Sequence, residues 1–372
     1  MSVEQVLARK GPRKLLALEG GGVRGCISIE VLARIEALLR ERTGDPNLVL
    51  GDWFDYLGGT STGAILAACL ASGMPVARIR EFYQEQGRAM FQKAFLLKRL
   101  WFQYEREPLA AKLREVLGAD TKLGSPELRC LLLLVLRNAS TDSPWPLSNN
   151  PFARYNDRKR PDCNLELPLW QLVRASAAAP VFFPPELVQL GGKELVFVDG
   201  GVTSYNNPSF LLFLMATLEP YQLRWPTGPD RLLLVSVGTG RSLATSSLDP
   251  GQQSPSLLEA ARTVPHALIS SASIQQDLLC RAFGRCLAGG ALDRELGDLV
   301  DMGGAGGLPQ LFTYLRYDVA LTRDGLAEIG VEGVDPRAIE SLDVVESIPD
   351  LQAIGRALAA RQVEAAQFAG FA

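Results

Sequence analysis

Residues 59–63 of this chain are Gly59-Thr60-Ser61-Thr62-Gly63, a G-x-S-x-G pattern. The pattern follows a short apolar segment, Phe54–Leu57, which predicts the end of a strand, and it leads into an apolar helix predicted over Thr62–Ala71. A serine on such a tight strand–helix turn needs flanking glycines, because side chains would collide there, and its hydroxyl stands at a helix N-terminus. We therefore predict that Ser61 is a catalytic nucleophile. The alternative is an ordinary serine N-cap of the helix.

The segments around this turn alternate between short apolar runs and stretches with helical periodicity. Lys14–Leu18 and Leu232–Val237 predict buried strands, and Cys26–Leu39 carries apolar residues at helical spacing. This alternation predicts an α/β layered fold. Beyond Pro255 the pattern is mostly helical, apart from a strand predicted over Leu311–Ala320. We expect the functional residues at strand ends, where open α/β sheets place their binding sites.

A glycine-rich turn, Glu19–Gly25, lies between the first predicted strand and the helix that follows it. Backbone N–H groups exposed in such a turn, backed by a helix N-terminus, form an anion site, and in an acyl hydrolase that anion is the tetrahedral oxyanion. One alternative is a purely structural turn. The other is a dinucleotide fingerprint spelled by Gly20, Gly22 and Gly25. Such a fingerprint expects an acidic strand end about 20 positions later, where residues 41–46 instead predict a turn.

A third motif, Asp199-Gly200-Gly201, follows a predicted strand over Leu195–Val198. Its carboxylate is a candidate general base, with an aspartate cap at a tight turn as the alternative. The chain holds one histidine, His266, in a helical stretch without a glycine turn, so the sequence argues against a Ser-His-Asp triad. A dyad remains, in which Asp199 takes the proton of Ser61 directly. Aspartate is a weak base at its ordinary pKa, so we expect desolvation to raise that pKa.

The composition is that of an ordinary globular protein, with 372 residues, 47% apolar, 21% charged and a net charge of -3. This balance gives no basic footprint for a nucleic acid polymer. The six cysteines are scattered without a C-x-x-C pattern, so neither a disulfide framework nor a metal site is predicted, and a reducing cytoplasm fits best. The longest apolar runs are too short to span a bilayer, so any membrane contact is predicted to be peripheral. Met90–Tyr104 mixes aromatic and basic residues and is a candidate for that contact, with packing inside the protein or against a partner chain as the alternative.

The three motifs resemble, in order and context, the oxyanion, nucleophile and dyad motifs of patatin-like phospholipases. Two further segments are similar to that family, Arg174–Pro180 and Asn206–Pro208. Glu19 stands where many relatives carry aspartate, which is a conservative departure. The resemblance covers residues 13–240. It implies a three-layer α/β patatin-like fold with a central, mostly parallel sheet flanked by helices, and hydrolysis of acyl esters of glycerolipids.

Residues 241–372 carry no motif that we can assign, and we predict a mainly helical C-terminal portion packed on the core. Its last helix is predicted from about Asp350 to Phe368. One face of that helix carries four apolar residues, namely Leu351, Ile354, Leu358 and Val363.

The motifs together predict a role for each site residue. Ser61 attacks the acyl carbonyl, and Asp199 accepts its proton and later activates water. The N–H groups of Gly21 and Gly22 hold the oxyanion, with Arg24 either as a further donor or as a helix-surface cation or member of a structural ion pair. No metal or organic cofactor is needed. The remaining predicted site residues are glycines of the three turns: Gly20 and Gly25 beside the oxyanion, Gly59 and Gly63 beside the nucleophile, and Gly200 and Gly201 after the base.

Two more segments, Thr141–Pro151 and Arg154–Asn156, resemble a narrower group, the bacterial patatin-like effectors of antiphage systems that cyclic dinucleotides activate. This resemblance implies a cyclic dinucleotide activator and a phospholipid membrane surface as partners. It also implies a cytoplasmic enzyme that associates peripherally with the inner membrane when active. The alternatives are a constitutive lipase or thioesterase, and a nucleotide-sensing binding module without catalysis. The sequence leaves open whether the chain forms a homo-oligomer.

Overall fold

The protein is built around one mixed sheet, which in the part of the chain that the structure describes has nine strands. The computed structural model describes residues 1–90, 106–180, 182–241, 257–300, 307–340 and 342–371, with residues 86–90 and 257–266 described by their backbone alone. In chain order the strands are β1 (Arg13–Leu18), β2 (Tyr56–Thr60), β3 (Leu131–Asn138), β4 (Ser143–Ser148), β5 (Glu186–Leu190), β6 (Lys193–Asp199), β7 (Leu232–Val237), β8 (Gly284–Ala288) and β9 (Phe312–Tyr317).

The strand order is β5-β6-β3-β2-β1-β7-β9-β8, and β4 pairs with β3 beside this path. From β3 to β8 all neighbouring strands run parallel. The pairings of β4, β5 and β6 are antiparallel and lie at one edge of the sheet. The inner parallel strands are buried on both faces, which explains the continuous apolar runs Leu15–Leu18 in β1, Leu131–Leu136 in β3 and Leu232–Val235 in β7. The expected central, mostly parallel sheet is confirmed.

Helices cover both faces of this sheet. In chain order the described helices are α1 (Val3–Ala8), α2 (Gly25–Thr43), α3 (Leu50–Trp53), α4 (Thr62–Ala71), α5 (Val76–Met90), α6 (Arg106–Leu117), α7 (Leu169–Ser176), α8 (Ser209–Thr217), α9 (Leu257–Phe283), α10 (Arg323–Glu328) and α11 (Ile348–Gln362). In β2 the neighbouring residues Gly58 and Gly59 face opposite sides of the sheet. A Cβ on Gly58 would lie 3.2 Å from Leu212 of α8, whereas one on Gly59 would lie 2.6 Å from the backbone of Ala64 in α4. Helices α4 and α8 therefore lie on opposite faces, and the expected three layers are confirmed.

The C-terminal third contributes strands to the same sheet as well as helices. Strand β9 was predicted, but β8 was not, because it begins immediately after the last residue of α9 with no intervening loop. Helix α11 packs on α2 so closely that a Cβ on Gly355 would lie 2.8 Å from the Cβ of Glu30. The boundary at residue 240 remains a prediction.

The topology brings the three sequence motifs to one end of the sheet. Leu18 of β1 pairs with Gly59 of β2, so Glu19 and Ser61 follow neighbouring strand ends. On the other side of β2, Thr60 pairs with Val135 of β3. The next residue of β3, Leu136, pairs with Asp199. The nucleophile turn therefore lies between the glycine turn and the aspartate turn.

The structure bears on membrane contact in one respect. None of the described helices is long and apolar enough to cross a membrane. Residues 91–104, which make up nearly all of the segment considered above for peripheral contact, lie outside the described residues.

Candidate active site

Ser61 occupies a strained turn between β2 and α4. Its backbone dihedral angles are φ 55° and ψ -122°, in a region that residues with a side chain rarely adopt. Such a conformation costs of order 1–3 kcal/mol and is typical of functional turns. The Ser61 side chain makes no capping hydrogen bond to α4. The hydroxyl instead donates to Oδ2 of Asp199 at 2.6 Å, so Ser61 stands at the N-cap position but its side chain does not cap the helix.

The two glycines beside Ser61 are needed because backbone passes close to both. A Cβ on Gly59 would overlap the carbonyl oxygen of Gly63. A Cβ on Gly63 would in turn overlap the carbonyl oxygen of Leu18 at the end of β1. The helix α4 therefore starts against the end of β1, and Ser61 is presented beside the glycine turn that follows that strand.

Asp199 ends β6 with its carboxylate held at both oxygens. Oδ2 accepts the Ser61 hydroxyl, and Oδ1 accepts the backbone N–H of Gly201 at 2.6 Å. The residue is buried, with 4% of its surface exposed. A Cβ on Gly200 would overlap the carbonyl oxygen of Val135, so the turn after the aspartate must also approach β3 closely. These contacts fix the carboxylate where it can take the serine proton.

The surroundings of Asp199 make it a stronger base than an ordinary aspartate. Burial raises the pKa of its carboxyl to about 6. The hydrogen bonds from Ser61 and Gly201 and the positive charge of Arg174 oppose this rise, since each stabilises the ionised form. The carboxylate is therefore ionised at neutral pH, while its basicity lies closer to that of a general base working near pH 7.

The glycine turn lies directly against the nucleophile. A Cβ on Gly20 would lie 3.0 Å from the Cβ of Ser61. The Gly20 carbonyl accepts from the hydroxyl of Thr239 at 3.1 Å, and Asn206 holds the same carbonyl through its side-chain amide at 3.5 Å. The Gly20 N–H is used as well, since it donates to the Asn206 carbonyl at 3.4 Å. Gly20 is therefore a fixed point of the turn rather than a free donor.

The next two residues, Gly21 and Gly22, have backbone N–H groups without a hydrogen-bond partner among the described residues. These are the donors that the sequence predicted for an oxyanion. Gly22 has φ 58°, in the left-handed region that favours glycine. The turn then tightens into a short 3-10 helix, and the N–H of Val23 donates to the carbonyl of Leu342 at 2.9 Å. Gly25 begins α2, where a Cβ would lie 2.8 Å from Thr62.

The position of the dinucleotide fingerprint can now be compared with the structure. Helix α2 continues to Thr43 and ends at Gly44, which has a left-handed conformation with φ 69°. Residues 41–46 are thus a helix end and a turn, where the fingerprint expects the end of a second strand. The structure does not support a dinucleotide site at this turn.

Arg24 lies among carboxylates. Burial lowers the pKa of its guanidinium, and Asp318, Glu19 and Glu340 oppose this as neighbouring negative charges. No hydrogen bond joins its side chain to Ser61 in the part of the chain that the structure describes. These surroundings favour the structural cation over the oxyanion donor for Arg24.

A buried ion network lies beneath the glycine turn and was not predicted. Arg316 of β9 pairs with Glu19 at 2.8 Å and with Asp318 at 2.8 Å, and all three side chains are almost fully buried. Burial raises the pKa of Glu19 to about 7, against the attraction of Arg316. Asp277 of α9 lies 3.9 Å from the same guanidinium and binds Arg281 through both oxygens at 2.9 Å. The network connects the first residue of the glycine turn to β9 and α9.

Sequence reasoning also missed the side chains that hold the turns in place, among them Ser176 and Asn206. Both lie in segments that carried the family resemblance, but the pattern gave them no role. The only local signal for Ser176 was the run of small residues within Arg174–Pro180. His266 is a residue of α9, and the structure describes its backbone but not its side chain. Among the described residues no group of three or more histidine, cysteine or acidic side chains could hold a metal ion.

Comparison with known proteins finds several similar chains. The chain is 31% identical over 216 residues to a cGAMP-activated phospholipase of Vibrio cholerae, an alignment that covers 54% of this chain and 57% of that protein. It is 26% identical over 354 residues to a cGAMP-activated phospholipase of Escherichia coli, covering 91% of this chain and 89% of the relative. Patatin-T5 of Solanum tuberosum is 30% identical over 254 residues, covering 63% of this chain and 61% of that protein.

The chain thus spans little more than half the length of the Vibrio relative. The model of the patatin-like phospholipase family matches residues 16–212, which is more than half of the chain. That range includes the glycine turn, the Ser61 turn and the Asp199 turn. This chain belongs to the patatin-like phospholipase family.

Proposed function

We propose that the protein is a serine lipid acyl hydrolase in which Ser61 is the nucleophile and Asp199 is the base. The observation that carries this proposal is the 2.6 Å hydrogen bond from the Ser61 hydroxyl to a buried carboxylate, made by a serine in a strained turn. A structural serine gains nothing from such strain, whereas a nucleophile is presented by it.

In the first half of the reaction the Ser61 oxygen attacks the acyl carbonyl carbon while Oδ2 of Asp199 takes the hydroxyl proton. The tetrahedral oxyanion lies against the glycine turn, where the N–H groups of Gly21 and Gly22 are free to donate. Removing one donor of this kind typically costs about 3 kcal/mol of transition-state stabilisation. When the ester bond breaks, the leaving alkoxide takes the proton from Asp199, and the acyl group stays on Ser61.

In the second half Asp199 takes a proton from water, and the resulting hydroxide attacks the acyl ester. The same N–H groups hold the second oxyanion. Collapse returns the proton to the Ser61 oxygen and releases the fatty acid, so that the enzyme is regenerated. Every proton transfer in this scheme uses Asp199, which is why its raised pKa matters more than that of any other described carboxyl.

We propose phospholipids of a membrane surface as the substrate. This proposal is supported by the family to which the chain belongs and by two similar proteins that are named as phospholipases. It also agrees with the peripheral membrane contact that the sequence predicts. In this proposal the protein works in the cytoplasm and binds the inner membrane only from its surface. A soluble ester or thioester is the competing substrate class.

We further propose that a cyclic dinucleotide activates the protein. Two relatives carry cGAMP activation in their names, and one of them aligns over 91% of this chain. An enzyme that attacks membrane phospholipids would harm its own cell if it were always active. An activator can raise the rate only if it binds the active arrangement more tightly than the resting one.

The test is release of fatty acid from phospholipid vesicles by the purified protein, with and without cGAMP. Ser61→Ala and Asp199→Ala should each abolish turnover while leaving the protein folded, because the two residues act as a unit. The control is His266→Ala, which should keep most of the activity. If the histidine variant were as inactive as Ser61→Ala with its fold intact, the dyad would be wrong.

The same assay separates the alternatives. Full activity without a nucleotide, and no thermal shift with one, would favour a constitutive lipase and leave the dyad untouched. Hydrolysis of short soluble esters without attack on vesicles would favour the soluble substrate. A thermal shift with cGAMP but no hydrolysis of any ester would favour a binding module.

A further inference from the structure

The C-terminal end of helix α7 contacts the backbone of both proposed catalytic residues. Ser176, the last residue of the helix, accepts the N–H of Ser61 through its Oγ at 3.0 Å. Two residues later, the carbonyl of Ala178 accepts the N–H of Asp199 at 3.0 Å. One short segment therefore holds the main chain of the nucleophile and of the base.

The Ser176 hydroxyl has a second bond, which anchors it to the sheet. It donates to the carbonyl of Val135 at 2.6 Å, and the side chain is completely buried. Val135 lies next to Thr60 in the sheet, and its carbonyl also touches the turn at Gly200. The hydroxyl thus joins the main chain of β3 to the main chain of Ser61, through a buried bond to Val135 and a partly buried bond to Ser61.

This bridge acts at the one residue of the site that is strained. The positive φ of Ser61 costs energy that the surrounding structure must offset, and relaxation of the turn would change the direction of the Ser61 side chain. A bond to the Ser61 N–H opposes it directly, because the N–H direction is fixed by the same backbone dihedral angles. This bond also occupies the Ser61 N–H, so that group does not serve as an oxyanion donor.

We infer that Ser176 is a positioning residue for the proposed reaction, whose hydroxyl fixes the Ser61 turn against β3 and so holds the Ser61 oxygen on Asp199. The inference rests on the proposed function. It predicts a loss in the chemical step and not in substrate binding, since Ser176 touches neither the substrate nor the reacting atoms.

The matched control is Ser148, a second buried serine with two hydrogen bonds. Its Oγ accepts from the hydroxyl of Tyr56 at 2.6 Å and from the N–H of Asn150 at 3.1 Å, at the far end of β4. Ser148→Ala removes a comparable pair of buried bonds without touching the Ser61 turn. A merely structural role for Ser176 predicts that the two alanine variants behave alike.

The experiment compares kcat and KM for Ser176→Ala, Ser148→Ala and the unchanged protein, together with the rate at which a fluorophosphonate probe labels Ser61. We expect kcat and the labelling rate of Ser176→Ala to fall between tenfold and a hundredfold with KM unchanged within about twofold, because small displacements of a reacting group cost about that much. Ser148→Ala should retain kcat. Ser176→Cys, which keeps a weak donor and acceptor in the same place, should recover part of the loss.

Wild-type kcat in Ser176→Ala, or an equal fall in kcat for both alanine variants, would overturn the inference. If Ser176→Ala does not fold, Ser176→Cys is used in its place. Full activity of Ser176→Cys would show that strong hydrogen bonds of residue 176 with Ser61 and Val135 are not needed, and would overturn the inference. The probe keeps this test separate from the proposed function. If the probe labels Ser61 at a rate that depends on Ser176, but the protein hydrolyses no lipid, the proposed substrate is wrong and the positioning role of Ser176 stands. If the probe does not label Ser61 at all, both the proposed function and the positioning role are wrong.

Discussion

Replacing Asp199 with asparagine is expected to stabilise the folded protein at alkaline pH while abolishing turnover. Burial raises the pKa of this carboxyl from its ordinary 3.8 to about 6. Keeping it ionised at pH 8 therefore costs the folded state about 3 kcal/mol, at about 1.4 kcal/mol for each tenfold change in an equilibrium constant. Asparagine carries no charge, and its amide can still accept the N–H of Gly201 and donate to the oxygen of Ser61. The variant thus keeps both hydrogen bonds and avoids the free-energy cost of an ionised, buried carboxylate.

The advantage of Asp199→Asn should depend on pH with a definite sign. Because the folded pKa lies above the unfolded one, the folded protein takes up the extra proton as the pH falls from about 6 to about 4, and the unchanged protein gains stability in that window. The advantage of the variant should shrink from about 3 kcal/mol at pH 8 to roughly half of that at pH 5. Urea unfolding at both pH values measures it, with Ser61→Ala as the inactive control that keeps the carboxylate. A variant less stable than the unchanged protein at pH 8, or an advantage that does not change with pH, would refute the reasoning.

Three further predictions follow from the site. The kcat of the unchanged protein should fall about tenfold for each pH unit below about 6, as Asp199 becomes protonated, and a pH–rate profile with its acid limb near 4 would contradict this. Gly63→Ala should destabilise the protein and remove activity, because its Cβ would overlap the Leu18 carbonyl, and wild-type thermal stability would contradict the close approach. Arg316→Met should lower the free energy of unfolding by about 3–5 kcal/mol, since it leaves buried carboxylates without their partner; a loss below about 1 kcal/mol in urea unfolding would contradict that.

Much of the parallel part of the fold could be predicted because its strands are short apolar runs with clear breaks. The predicted Leu232–Val237 and Thr62–Ala71 coincide with β7 and α4 at both ends. Three residues of the predicted apolar face, Leu351, Ile354 and Leu358, are buried in α11. The predicted end near Phe368 is wrong, because α11 ends at Gln362 and Val363 is buried just after it in an extended conformation. The apolar pattern of these elements is set by their own residues, so the local sequence is enough to predict them.

The edge strands could not be predicted in the same way. Strand β4 contains Pro144 and Pro146, which argue against a strand unless it lies at an edge, and its position at an edge is known only from the sheet. Strand β8 begins at Gly284, directly after the last residue of α9, so the helical pattern runs into it. In both places the tertiary pairing overrides the local signal.

The candidate site, too, could be predicted only where its residues have a local sequence signature. The turns that carry Ser61 and Asp199 have local signatures, and the structure brings the two residues together although 138 positions separate them. The partners of Glu19 have no such signature. Arg316 lies in a strand that reads as ordinary β-structure, and only the neighbourhood of β1, β7 and β9 places it beneath the glycine turn. The role of Ser176 is hidden for a similar reason, since a serine at a helix end has many other uses.

The glycine turn is anchored in part by residues of the C-terminal third of the chain. Arg316 holds Glu19 at the start of the turn, and the carbonyl of Leu342 accepts the N–H of Val23 inside it. Asn206, which binds the Gly20 carbonyl, is itself bonded to Ser273 of α9 at 3.2 Å. Three of these anchors belong to the C-terminal third, beyond the predicted boundary at residue 240. A small shift of α9 or β9 would therefore act on the turn that carries the proposed oxyanion donors.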